Sequence, residues 1–280
     1  MKQVGVNCFG LNALIHQDFE GTAAKLKEIG FTHIEPMVVF PAAQGADPSA
    51  MAQRLKMAGQ DGVFWVNTIA EERIAYLREM GFTVDGIHLG LVGMVPGGLK
   101  TVLPYAAEFA AANGIRYVVH SPQKKSLKEM QPDAEAMRDG AELLKKSGCE
   151  LIFHCHYQEF TKDEGDTPFD YLMRFIPELR VELDVGWVQY AGEDVLAVMD
   201  RYQDRIAIVH FKDIVEGAAE KGPKGIFTAI GEGSLPLPEI LRKAEGMKLS
   251  YGGLVIDQDA SLSGDMLRDL EVGFRNLQTM

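Results

Sequence analysis

The sequence predicts a (β/α)8 TIM barrel in a single domain, residues 1–280. Short apolar, β-branched runs alternate with helical patterns along the whole length, the pattern of βα units on a parallel sheet. Eight such runs can be read, as many as a closed barrel needs. A length of 280 residues with no shift in composition suits one large barrel rather than two linked domains.

The first strand is read at residues 3–8 and the first helix at 19–28, closed by Gly30. The second strand, 33–39, carries Glu35. Pro41, Gly45 and Pro48 mark a loop, and Ser49 is a candidate cap for a helix to about 57. Residues 59–67 fit no single pattern, so 41–70 is read as an insertion over the barrel mouth. A helix at 70–80 stops at Gly81. The third strand, 83–89, holds His88 near its end. Gly93, Pro96, Gly97 and Gly98 form a loop before a helix at 101–112, which stops at Asn113-Gly114. The fourth strand, 116–120, ends in His120. The helix at 132–146 has Pro132 at its start and Gly148 just past its end. The fifth strand opens the stretch 151–160, and a helix at 168–175 follows. The sixth strand, 180–184, ends in Asp184, with a helix at 193–202 after it. The seventh strand, 205–212, contains His210. A helix at 236–244, an eighth strand at 254–257 and a last helix at 265–277 complete the chain.

Residues 151–160 read Leu-Ile-Phe-His-Cys-His-Tyr-Gln-Glu-Phe. Side chains two apart on a strand share a face, so His154 and His156 leave in one direction just where the strand becomes a loop. Ligands bind at that end of parallel α/β folds. Glu35, His88, His120, His154, Asp184, His210 and Asp257 all fall at or near such strand ends. His154, Asp184, His210 and Asp257 make a candidate metal site, and mixed nitrogen and oxygen donors suit Mn²⁺, Co²⁺, Fe²⁺ or Zn²⁺. Each residue also has a bland reading. His88 and His120 would serve as hydrogen-bonded core, Glu35 as salt-bridged structure before Pro36, Trp187 as core and Lys212-Asp213 as a surface pair. Gly231-Glu232-Gly233 looks like a phosphate loop, a weak signal alone.

Composition excludes several classes. The formal net charge is -12, whereas nucleic-acid binding calls for a basic footprint. No apolar run reaches the roughly 18 residues of a membrane span. The N-terminus reads as a strand and not as a signal peptide. Cys8, Cys149 and Cys155 form no CxxC pair, so free thiols in a reducing cytoplasm are expected. A homodimer is the expected assembly if the barrel exposes apolar patches.

From the fifth strand onward the chain resembles the xylose isomerase-like barrels, in the group of sugar phosphate isomerases and epimerases that includes inosose dehydratases. His154-Cys155-His156 with Glu159-Phe160 resembles the family's His-Asn-His followed by Glu-Phe. Leu183-Asp184-Val185-Gly186-Trp187 is similar to its Leu-Asp-x-x-Trp, and His210-Phe211-Lys212-Asp213 to its His-x-Lys-Asp. Gly231-Glu232-Gly233 matches a Gly-x-Gly turn, and Ile256-Asp257-Gln258-Asp259 the family's Val-Glu-Gln-Asp. The resemblance spans nearly the whole chain. It implies a divalent metal, often Mn²⁺ with Mg²⁺ among the alternatives, on His154, Asp184, His210 and Asp257. Two positions depart from the pattern. Many members carry Glu on the fifth strand where His154 stands, and Asp257 is one methylene shorter than the family's Glu. The paired-Glu epimerase mechanism therefore lacks both its bases here. Either His154 or His156 is the fifth-strand ligand.

The expected activity is metal-dependent isomerisation or epimerisation of a keto-sugar or keto-cyclitol through an enediolate. Dehydration or lysis at the same site is the alternative. His156, then Glu35, are the candidate bases, and Lys212 would bind an oxyanion or protonate a leaving group. His88, His120 and Glu159 would contact substrate, with Trp187 and Trp65 packing on the sugar's apolar face. Three other readings fit the sequence less well. Abasic-site endonucleases share the fold but use three zinc ions and a DNA groove, which the net charge opposes. Amidohydrolases place His-x-His on the first strand, where this chain has Asn7-Cys8. A sugar-binding barrel with a decayed site would lack ligands, and all four positions are filled.

Overall fold

A computed structural model describes residues 2–280. The strands are β1 Gly5–Asn7, β2 His33–Glu35, β3 Met37–Val39, β4 Phe64–Val66, β5 Gly86–Leu89, β6 Tyr117–His120, β7 Glu150–His154, β8 Arg180–Asp184, β9 Ile206–Phe211, β10 Asp213–Ile214, β11 Phe227–Thr228 and β12 Leu254–Ile256. The helices are α1 Asn12–Gln17, α2 Phe19–Ile29, α3 Pro48–Met57, α4 Asn67–Glu79, α5 Leu99–Asn113, α6 Leu127–Lys146, α7 Pro168–Phe175, α8 Val185–Tyr190, α9 Val195–Tyr202, α10 Ala218–Lys221, α11 Leu237–Glu245 and α12 Met266–Thr279. Ten strands form one parallel sheet in the order β2-β1-β12-β9-β8-β7-β6-β5-β3-β4. The short β10–β11 hairpin stands apart. Among the described residues no helix is long and apolar enough to cross a membrane.

Pro36 breaks the expected second strand in two, because it has no N–H to give the ladder. Below the break β2 pairs with β1, Gly5 opposite His33. Above it β3 pairs with β5, Met37 opposite His88. The chain is continuous through Pro36, and this closes the TIM barrel. The part of 41–70 that fits no pattern supplies β4, which pairs with the free edge of β3, Met37 opposite Phe64. The insertion thus adds a strand to the barrel rim, backed by α3. Helix α6 starts five residues before Pro132. Ser126 Oγ accepts the N–H of Glu129 at 3.3 Å and caps it there.

Alternation along each strand sends every second side chain into the barrel. Tyr117, Val119, Ile152, Ile208 and Val255 make an apolar plug across the lumen. A larger apolar layer joins the outer face of the sheet to the helices. Gly86 makes room for the plug, since a Cβ there would stand 2.0 Å from the ring of Tyr117. Ala207 is an extra residue in β9. It shifts the register from Val181–Ile206 to Glu182–Ile208, so that Asp184 pairs with His210.

Candidate active site

Above the plug the lumen turns polar and opens into a cavity of about 900 Å³ at the C-terminal ends of the strands. His88, His120, His154, His156, Trp187 and Asp257 all line it. Donor atoms of His154, Asp184, His210 and Asp257 lie within 4.8 Å of one another, and all four residues are buried. Opposite ligands of one ion with bonds of about 2.0–2.3 Å stand roughly 4–4.6 Å apart, so the spacing suits a single divalent cation.

Buried carboxylates fix how the two imidazoles face this point. His154 Nδ1 donates to Glu182 Oε2 at 2.7 Å, leaving Nε2 to point toward Asp184 Oδ2, 4.0 Å away. Burial holds His154 below the ordinary histidine range against the pull of Glu182, which keeps that Nε2 lone pair free. His210 Nε2 donates to Glu35 Oε2 at 2.8 Å, with Glu182 Oε1 3.2 Å away, and its Nδ1 lies 3.2 Å from Asp257 Oδ2. Burial works against the charges of Glu182 and Glu35, which hold His210 well above its ordinary range. Ligation through Nδ1 requires that nitrogen's proton to leave. Backing carboxylates of this kind are how metal sites set ring tautomers. Among the described residues Asp257 Oδ1 is buried with no hydrogen-bond partner. An orphaned carboxylate oxygen beside the free lone pair of His154 is what a cation would satisfy, and the donor set fits one once His210 Nδ1 gives up its proton.

Lys212 Nζ stands 2.9 Å from Asp184 Oδ2, Asp257 Oδ2 and Asp259 Oδ2 alike. Burial opposes its charge, but the three carboxylates hold it well above the ordinary lysine range. It acts as a fixed cation and is poorly suited to give up a proton. His156 lines the cavity with Nδ1 buried and unpartnered among the described residues. Its Nε2 is 3.5 Å from Gln123 Nε2. Burial, then the neighbouring His154 ring and the Lys212 ammonium, hold it well below the ordinary histidine range. His120 also keeps an unpartnered Nε2, and burial pushes it down to about 3. His88 bridges toward Glu182 at 3.2 Å. Burial opposes the charge of Glu182, which wins and raises His88 to about 9.

Several expectations are corrected. Glu35 is sealed beneath the cavity and accepts from Tyr117 Oη at 2.7 Å as well as from His210, so it orients a ring and is not part of the cavity lining. Glu159 lies behind the wall, where it accepts the N–H of His156 at 3.0 Å. Trp65 points outward between helices, edge-on to Phe19, with its indole N–H on the carbonyl of Gly62. Its neighbour Phe64 is the cavity-facing residue, because strand alternation reverses the pair. Lys212 and Asp213 are both buried. Asp213 Oδ2 accepts the N–H groups of Gly231 and Gly233 at 2.9 Å each, so a side chain fills the Gly-x-Gly turn that looks like a phosphate loop in the sequence. Glu182 belongs to no motif, and Asp259 closes one without having been given a role. Glu182 could have been found as the residue two before Asp184, hence on the same face.

The model of the xylose isomerase-like TIM barrel family matches residues 23–256. The chain belongs to that family. Among relatives in it, an inosose dehydratase of Clostridium perfringens is 29% identical over 167 residues, 54% of this chain and 53% of that protein. The rhizopine catabolism protein MocC of Rhizobium meliloti is 30% identical over 221 residues, 73% of this chain and 66% of that protein. The chain spans about half the length of the inosose dehydratase it matches. A sugar phosphate isomerase/epimerase of Parabacteroides distasonis superposes with a TM-score of 0.72 at 19% identity, covering 99% of this chain and 93% of that one. That likeness is one of fold. The family match takes in every barrel strand from β2 to β12, and with them His154, Asp184 and His210.

Proposed function

We propose that this chain is a divalent-metal-dependent dehydratase of a keto-sugar or keto-cyclitol, starting by removal of the proton alpha to the carbonyl. The observation that carries the reading is His156, whose buried Nδ1 has no partner among the described residues, in a cavity that His154 and Asp257 of the four converging donors also line. His154, Asp184, His210 and Asp257 would hold the ion, with Mn²⁺ the first candidate. Bound there, it would supply Lewis-acid polarisation of the carbonyl and stabilise the charge that develops on its oxygen. His156 takes the proton from the alpha carbon. The resulting imidazolium then passes it to the hydroxyl leaving the beta carbon, and the products are water and an alkene conjugated with the carbonyl. His120 accepts a hydrogen bond from a substrate hydroxyl, and Trp187 walls the ring's apolar face. Lys212 balances the carboxylates. The sequence relatives named as dehydratases support this outcome.

Isomerisation or epimerisation is the second reading, the activity named for the Parabacteroides distasonis protein of like fold. It needs a second group to return the proton, and Glu35 is sealed away from the cavity. Metal analysis of the wild type beside Asp184→Ala and His210→Ala tests the site. Near-stoichiometric metal that disappears in both variants is expected, and full metal content in either would overturn it. NMR of keto-inositols and keto-sugars incubated with the loaded protein then separates alkene from epimer.

A further inference from the structure

The cavity has two unlike halves. The polar half comes from the ends of β6 and β7, from α8 and from the segment after β12: His120, His154, His156, Trp187, Asp257 and Asp259. The facing wall comes from β3, β4, the end of β5 and the β5–α5 loop: Met37, Phe64, Leu89, Leu91, Val92 and Val95. From Leu89 to Leu99 this segment offers the cavity no charged side chain. The wall is a built feature. Phe64 belongs to β4, the strand added outside the eight of the barrel, and it packs with Leu91 onto a separate apolar cluster of Val39, Leu55 and Val66. Gly90 lets the wall lie against the backbone. A Cβ there would meet Val39 Cγ1 at 2.8 Å, Phe64 Cδ1 at 3.0 Å and Met37 Cγ at 3.1 Å. Leu91 itself sits at φ 57°, a left-handed conformation rare for a residue with a side chain, and strain of this kind gathers at ligand sites.

Size points the same way. A six-carbon keto-polyol at organic close packing fills roughly 150–200 Å³, against a cavity of about 900 Å³. A bare polyol on the polar half would leave the apolar wall facing water, which is unfavourable. An anionic tail laid on this wall would find no cation on it, although Lys124 and Lys224 line the cavity elsewhere.

We propose that the substrate is a keto-sugar or keto-cyclitol bearing a bulky apolar substituent, an aryl or branched alkyl group joined through oxygen, and that the Met37–Phe64–Leu91–Val95 wall binds it. This rests on reading the polar half as the reacting site. The test is calorimetric titration of the Mn²⁺-loaded protein with methyl β-D-glucopyranoside, phenyl β-D-glucopyranoside and glucose 6-phosphate. Phenyl glucoside is expected to bind about 10-fold or more tighter than methyl glucoside, as burial of a ring implies. Phe64→Ala, and the nearly isosteric Val95→Thr should the first variant fold poorly, are expected to pull that ratio toward one. Equal affinity for the two glucosides overturns the proposal and leaves the metal site standing, as does tighter binding of glucose 6-phosphate. Binding of none of the three overturns the polar half as a sugar site and the proposal with it.

Discussion

The carboxylate of Glu182 meets three imidazoles: His154 Nδ1 at 2.7 Å, His88 Nε2 at 3.2 Å and His210 Nε2 at 3.2 Å. It sets the direction of both candidate metal-binding rings without entering the donor set itself. Glu182→Gln keeps the volume and loses the charge. The expected result is a drop in metal affinity of about 10–100-fold, read by metal titration, with near-normal circular dichroism. Glu159 carries a different prediction. Burial pushes its carboxyl up to about 7, so the folded protein keeps a proton that the unfolded chain has already released. Its contribution to stability is therefore full below the unfolded pKa and is lost as pH rises to about 7, by up to roughly 3 kcal/mol. In Glu159→Gln that slope is absent, and urea denaturation at pH 5 and pH 8 measures the difference. No motif pointed to Glu182, whereas Glu159 was visible in a motif and misread. A motif shows that a residue matters, and burial decides what for.

At the scale of elements, Asp184 serves two structures at once. Its Oδ1 accepts the N–H of Trp187 at 2.9 Å and caps α8, while its Oδ2 faces the candidate metal site. Asp184→Asn keeps the cap and weakens the site. Asp184→Ala loses both, and is expected to unfold about 1 kcal/mol more easily than Asp184→Asn, as measured by denaturant titration. The short strands are just as exacting. Gly86→Ala drives a methyl into Tyr117, which holds Glu35, and should cost about 1–3 kcal/mol by overpacking. A melting curve checks it. Most strands and helices were legible, because period-two and period-3.6 patterns and Gly and Pro stops are local signals. Strand β4 was not, since three residues carry no period and their pairing with β3 is decided at long range.

For the whole molecule, the polar lumen is an electrostatic load. Asp184, Asp257 and Asp259 share one ammonium, Lys212, in a protein whose formal net charge is -12. A divalent cation at this point relieves the load. At 100 times its dissociation constant it would stabilise the fold by about 2.7 kcal/mol. At roughly 2–4 °C per kcal/mol for a large domain, chelation should lower the melting temperature by about 5–10 °C and Mn²⁺ should restore it. An unchanged melting curve in Asp257→Asn, with and without chelator, would tie the effect to this site. The sequence by itself determined the eight-strand barrel and the strand ends that would carry chemistry, because alternation, stops and strand-end polarity are written locally. Only the tertiary structure decided which of those side chains reach the cavity. His156 lines it, Glu35 and Glu159 are sealed away, Phe64 replaces Trp65, and Asp213 fills the glycine turn. Each of these depends on the inward phase of a strand, the depth of the plug or a contact between distant segments. None of the three can be read from neighbours in the chain.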